Sequence, residues 1–478
     1  VNAVTIRNGA YALVALLGLA VLFCLAAELL TLPAHVLKNY NEGWNAYHAW
    51  EAMHAPALLY PQAPSLLTNN YPPLSFFLVG LVSKIIPDAI IAGRLVAFAS
   101  TLGIGLCLGF AARAVGCTRW QGLIAALLFW AAPWVIVKFS AMDDPQMLGD
   151  LFDAIALLLI LRGPRDTARI ALAALFLTLA EFVKPLYVTL PLALLVWLFV
   201  TERRSAGLLA AFGIGFALIG YAATALFLHT ELLGFLFSPR LFFWSKLTGQ
   251  PGQWLLVEAL PFLAVLSLLR QPRQDVAFLA GLYAALAFVL AVLFSGGDGV
   301  SASQMMEPAM ASAFGAALFL NRMPAKSWTF PALGLVAGLQ AVMLVLSFLG
   351  LWALRPALPE LMASGDATRH DVAVLAQRLQ PVMCETLALC YWAGHSAQVD
   401  AFGITQAFAR QVRDPRDLTR LLDARAFRMI QLQPRSIFAP PSPLWGAIMR
   451  NYHLEHQDRN GLFLIPRDRK PPVRALAH

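Results

Sequence analysis

Glu42 stands in a polar, aromatic stretch, Asn41-Glu42-Gly43-Trp44-Asn45-Ala46-Tyr47-His48, directly after a long apolar run. A carboxylate just outside a bilayer can take the proton of an acceptor hydroxyl as that oxygen attacks a sugar carbon. By residue type alone it could equally be a surface Glu in the first turn of a helix capped by Asn41. Asp143-Asp144-Pro145 is a second acidic site, placed between two apolar runs. Either carboxylate suits a helix N-terminus, where the dipole favours negative charge. Each also suits a second acid/base role, or a hard divalent cation, which selects oxygen ligands. Lys184, followed by Pro185, separates two short apolar runs. Its compact charge with three donors fits a lipid phosphate, or else snorkels to the interface. Arg240 and Lys246, among Phe242, Phe243 and Trp244, could hold a phosphate too or belong to an aromatic belt.

A polar loop holding Asp298, Ser301, Ser303, Gln304 and Glu307 precedes another apolar run. Glu307, beside Pro308, is costly there unless it faces a cavity, which favours a functional role. His48, His54 and His229 lack an HxxxH or CxxC context, so hydrogen-bonded histidines are expected rather than metal ligands. Cys384 and Cys390 could pair in an oxidising compartment, or a helical segment between them could hold them apart. No Gly-rich loop ending in Lys-Ser/Thr occurs, which argues against ATP hydrolysis, and no GxSxG elbow.

The elements that must position these groups are apolar. Of 478 residues, 59% are hydrophobic and 13% charged, with mean hydropathy +0.66. A soluble domain carries about a quarter charged residues, so this composition requires a polytopic α-helical membrane protein. The net charge of +8 is spread over short loops and the C-terminal end, which gives no nucleic-acid signature. Apolar runs at 9–32, 89–112, 121–137, 146–161, two around Lys184, 206–228, 254–269, 276–295, 310–320 and 328–354 suggest crossings. They amount to about eleven, at about 20 residues each for a full span. Leu74 to Ile86 is short and reads as interfacial, because counting it as a span would scatter the basic clusters over both faces. Without it, Arg7 and the clusters at 113–119, 162–169, 203–204, 270–273 and 322–326 share one side, the cytoplasm. Glu42, Asp143, Asp144, Lys184, His229, Arg240, Asp298 and Glu307 then collect at the other face. A transporter would place such groups near mid-membrane. Residues 1–354 therefore form the membrane domain, with an outer loop at 33–88 whose 42–54 portion has the spacing of an aromatic interfacial helix. Residues 355–478 read as a small extracytoplasmic α/β domain, with strands around 382–385, 397–400, 427–433 and 462–465.

Several of these stretches recur together and in order: Asn41-Glu42-Gly43, Tyr71-Pro72-Pro73-Leu74, Gly93-Arg94-Leu95, an acidic site before Pro145, and Lys184-Pro185. The set resembles the GT-C glycosyltransferases, in the bacterial branch related to protein O-mannosyltransferases and the lipid A aminoarabinose transferase. The resemblance covers essentially all of the membrane part, and Glu307 also fits it. It implies a polyprenyl-phosphate sugar donor, an outward catalytic cavity, usually inversion at the anomeric carbon, and a place in a bacterial inner membrane with the C-terminal domain periplasmic. The acceptor would be a lipid, glycan or protein hydroxyl. Glu42 and Asp143 or Asp144 would be catalytic, while Lys184, Arg240 and Tyr71 would serve the lipid phosphate. Asn41, His48, Asp298, Gln304 and Glu307 would line the cavity. Many relatives have Asp-Glu where this chain has Asn41-Glu42, which leaves Glu42 as the first-loop base. Relatives differ in metal use, so the resemblance allows a divalent metal and assigns none. The alternative is a lipid-linked glycan transporter or polymerase-like protein. Polymerases and ligases of that sort carry a large central outer loop, which this chain lacks between Ala206 and Leu320.

Overall fold

The computed structural model describes residues 3–132, 135, 139–236, 241–322, 338 and 357–467. The expected last span lies outside them except for Gly338, and so does Arg240. The chain divides into two compact units. One comprises Val1–Pro33, Ala49–Ala57 and Asn70–Pro356; the other comprises Ala34–His48, Leu58–Asn69 and Ala357–His478.

In chain order the first helices are α1 (Ala3–Thr31), α2 (Asn41–His54), α3 (Leu74–Ser83), α4 (Ala89–Ala114), α5 (Arg119–Ala131), α6 (Gln146–Leu161), α7 (Thr167–Val183), α8 (Thr189–Thr201), α9 (Arg203–Leu228), α10 (Leu232–Leu236), α11 (Gly249–Leu266), α12 (Val276–Ser295) and α13 (Met306–Arg322). All except α2, which is divided between the units after His48, belong to the first unit.

Five helices among the described residues are long and apolar enough to cross a membrane: Val14–Thr31, Ala89–Ala114, Arg203–Leu228, Trp244–Arg270 and Val276–Ser295. The first unit is a membrane bundle in which α6 packs on α4 and α7, α4 on α5, and α12 on α13. Its core is rich in alanine, including Ala97, Ala111, Ala112, Ala125, Ala154, Ala173, Ala280 and Ala316. Small side chains let membrane helices approach closely and gain van der Waals contact where lipid removes the hydrophobic driving force. Leu22, Phe23 and Leu30 on α1 and Leu226 and Phe227 on α9 are exposed, as lipid-facing residues are.

The second unit is a small α/β domain. Strands β1 (Val382–Cys384), β2 (Met429–Leu432), β3 (Tyr452–Asp458) and β4 (Gly461–Pro466) form a sheet in the order β1-β2-β4-β3. The β1–β2 pair is parallel and the other two pairs are antiparallel. Helices α14 (Ala357–Ala376), α15 (Leu387–Trp392), α16 (Ala401–Ala409), α17 (Arg416–Asp423) and α18 (Pro443–Asn451) complete it. Met383, Ile430, Leu432, Phe438, Ile448 and Leu464 lie in its core.

The segments 34–48 and 58–69 are built into this unit rather than draped on it. Trp44 Nε1 donates to the Thr68 carbonyl at 3.0 Å and Tyr47 Oη to the His395 carbonyl at 2.7 Å. Gly43 lies so close to α15 that a Cβ there would meet the Ala388 nitrogen at 2.0 Å, so only glycine fits. The strand expected at 397–400 is reduced to one bridge, Val399 with Leu66. Strand β3 goes beyond the sequence expectation: its His453, Glu455, Gln457 and Asp458 suit a half-solvated edge rather than an apolar run.

Cys384 and Cys390 are joined in a disulfide, whereas Cys24, Cys107 and Cys117 are free. Thiol titration of the unreduced, denatured chain should therefore count three reactive thiols, and five after reduction. Closing so short a loop is worth about 2 kcal/mol, so reduction should lower the melting temperature of this unit without unfolding the membrane bundle. Five thiols without reductant would exclude the bridge.

Candidate active site

Three chain segments of the membrane unit meet at Lys184. It is the C-cap of α7, in extended backbone, with Pro185 ending the helix. Its side chain is 6% exposed, and its ammonium donates to Gln146 Oε1 at 2.9 Å, its one hydrogen bond among the described residues. The Tyr71 ring stands 5.6 Å from Nζ, a cation–π approach. No described carboxylate lies within ion-pair distance of this ammonium. A buried lysine with one neutral acceptor has donors left over for an anion.

Gln146 opens α6 and is fixed at several points. Asp144 Oδ1 accepts from its backbone N–H at 2.9 Å, and its carbonyl accepts from Tyr187 Oη at 2.6 Å. Asp144 therefore does the work of a helix cap. Asp143, 3% exposed, instead packs against α4: a Cβ on Gly93 would fall 1.9 Å from Asp143 Oδ1. The Gly93-Arg94 pair thus has a local reason, because Gly93 leaves room for the carboxylate. Arg94, fully buried, reaches the Leu32 carbonyl at 3.3 Å.

Two further carboxylates escaped the sequence reading. Asp150 and Asp153 lie on one face of α6 at zero exposure, inside what reads as an ordinary apolar span. Asp150 accepts from Gln146 Nε2 through both oxygens, each at 3.2 Å. Neither oxygen of Asp153 has a hydrogen-bond partner among the described residues. Glu307, in the first turn of α13, accepts from Thr189 Oγ1 at 2.8 Å and lies near Asp150 and Asp153. The signal that could have found the two aspartates is a pair of charges at i, i+3 within an otherwise apolar run.

Asp298 is not brought to this group: it pairs with Lys246 in a half-exposed ion pair of the kind worth little. Gln304 sits in the short turn Ala302–Met305, its N–H on the Ser301 carbonyl at 3.4 Å. Asn41, Glu42 and His48 belong to the other unit. There Glu42 is fully buried and accepts from the Lys38 N–H at 3.3 Å, which overturns the surface reading. Asn41 does not cap α2 either; the Asn39 side chain accepts from the Asn41 N–H at 3.0 Å. His48 Nδ1 contacts the Trp44 carbonyl at 2.8 Å, the hydrogen-bonded histidine that its context implies. Burial pushes its imidazole down to about 4, partly offset by that carbonyl. No group of three or more His, Cys, Asp or Glu suited to a metal ion occurs among the described residues.

No protein-family model and no curated protein matches the chain. Solved structures do. ArnT from Cupriavidus metallidurans bound to undecaprenyl phosphate superposes with a TM-score of 0.64 at 15% identity, covering 93% of this chain and 97% of that one. The apo form of the same protein gives 0.65 at 16% identity over the same shares. The apo Archaeoglobus fulgidus oligosaccharyltransferase gives 0.54 at 10% identity, over 97% of this chain and 75% of that one. Both are GT-C proteins. This chain has the GT-C fold. The ordered motifs of the sequence pointed to this fold.

Within this GT-C bundle, Asp153→Asn should raise thermal stability in detergent by about 1 kcal/mol, because a buried carboxylate without a hydrogen bond is replaced by a neutral isostere. A lower melting temperature would show that the carboxylate is well partnered. For His48 the sign follows from its two states: the unfolded chain takes up the proton near 6.5, the folded chain only near 4. The unfolded state gains protons first, so this residue destabilises as pH falls through that window, by up to about 3 kcal/mol. His48→Gln should lose less stability than wild type between pH 7 and pH 4; parallel melting curves would contradict this.

Proposed function

We propose that the chain transfers a sugar from a polyprenyl-phosphate donor to an acceptor hydroxyl, on the periplasmic side of a bacterial inner membrane. The observation that carries this reading is the Lys184 ammonium, buried and hydrogen-bonded to a neutral amide rather than paired with a carboxylate. The shared fold of ArnT, whose structure holds undecaprenyl phosphate, supports it.

In the reaction, the bond between the anomeric carbon and the phosphate oxygen breaks as the acceptor oxygen bonds to that carbon, with inversion. The donor phosphodiester carries one negative charge, and the departing lipid phosphate gains another. Lys184 would stabilise that growing charge, an interaction stronger in the transition state than in the ground state. Glu42 is the proposed base for the acceptor proton, with Asp143 as a second carboxylate. Tyr71, stacked toward Lys184, would help to close the phosphate end. Arg240 is a further candidate for the phosphate. The acceptor, whether lipid, glycan or protein, is set by surfaces outside this chemistry.

Purified protein given a labelled polyprenyl-phosphate sugar should release polyprenyl phosphate. Lys184→Ala should lower kcat/KM for the donor by about a hundredfold or more. Glu42→Gln should abolish transfer while donor binding persists. Unchanged turnover in Lys184→Ala would remove the phosphate role, and full transfer in Glu42→Gln would remove the base.

A further inference from the structure

We infer that Asp150 and Gln146 are positioning residues that hold the Lys184 ammonium out of direct contact with a carboxylate, so that it can answer the phosphate of the donor. This rests on the proposed role of Lys184 and adds the device that makes it work.

The arrangement is a three-member chain within one unit. Lys184 Nζ donates to Gln146 Oε1 at 2.9 Å, and Gln146 Nε2 donates to both oxygens of Asp150 at 3.2 Å. Residues 146 and 150 are one turn apart on α6 and share a face. The direction of the amide follows from its neighbours. Turned over, it would set its NH2 against the ammonium and its carbonyl against the carboxylate, both repulsive. The Gln146 backbone cannot shift to compensate, because Asp144 holds its N–H and Tyr187 its carbonyl. All five residues are buried or nearly so.

A lone ammonium among apolar helices is strongly disfavoured without a counter-charge. A carboxylate in direct contact would supply one, but an incoming phosphate would then have to displace it. An amide between the two resolves the conflict. Asp150 stays linked to Lys184 through the one amide that bonds to both. Meanwhile the ammonium keeps its other N–H donors for the ligand. Because the leaving phosphate gains charge as it departs, an ammonium not already neutralised gives its largest stabilisation late in the reaction.

The test measures polyprenyl phosphate affinity and donor turnover on full-length protein in detergent, with melting curves as the folding control. Asp150→Asn frees the amide to turn; Gln146→Glu gives Lys184 a direct carboxylate. Each should weaken polyprenyl phosphate binding about tenfold and lower kcat, with acceptor KM unchanged. Asp150→Glu should restore most of both. Because the chain acts through Lys184, Asp150→Asn should have no further effect on binding in a Lys184→Ala background.

Wild-type affinity and kcat in both Asp150→Asn and Gln146→Glu would overturn the inference, as would losses that simply add to that of Lys184→Ala. If Lys184→Ala alone binds polyprenyl phosphate as wild type does, the underlying phosphate role fails and the relay falls with it. Loss in Lys184→Ala with none in the other two would remove only the relay.

Discussion

One buried ammonium sets the terms for the membrane unit. Lys184 is nearly inaccessible, lies between apolar helices and touches a neutral carbonyl oxygen. In a medium of low dielectric such a charge persists only if its surroundings are arranged for it. The arrangement is visible in the local geometry: Pro185 stops α7 so that the side chain leaves its end, and Asp144 caps the facing helix. Tyr187 Oη then locks the first residue of that helix.

The same corner carries more carboxylates than cations. Asp150 is tied to the amide, Glu307 to Thr189, and Asp153 to no described partner. Buried acids of this kind are expensive unless protonated or matched by a ligand. A fold maintained for stability alone would replace them with apolar side chains, which makes this corner a functional candidate apart from any likeness to other structures. The second unit follows different rules, with an ordinary sheet-and-helix core, a disulfide and ion pairs at its surface.

Much of this was legible in the sequence because polarity is conspicuous against an apolar background. Lys184-Pro185 and Asp143-Asp144-Pro145 interrupt apolar runs, and proline at each fixes a helix boundary. Asp150 and Asp153 were hidden because Leu and Ile around them complete an apolar run, and a charge inside such a run reads as part of it. Gln146 looked like the start of that span; only the packing of Tyr187 and Lys184 against it reveals its use. The membership of 34–48 and 58–69 in the C-terminal unit rests on contacts such as Tyr47 with His395, far apart in sequence, which no local pattern carries. The edge strand β3 was missed because its exposed residues are polar, and helix α14 because its charged surface resembles a linker.

A structure of the full-length protein in lipid with a polyprenyl phosphate bound would test the central claim most directly. The account requires the phosphate oxygens within hydrogen-bond distance of Lys184 Nζ, with Gln146 still between that ammonium and Asp150. A phosphate seated elsewhere, with Lys184 and Gln146 undisturbed and out of reach, would contradict it.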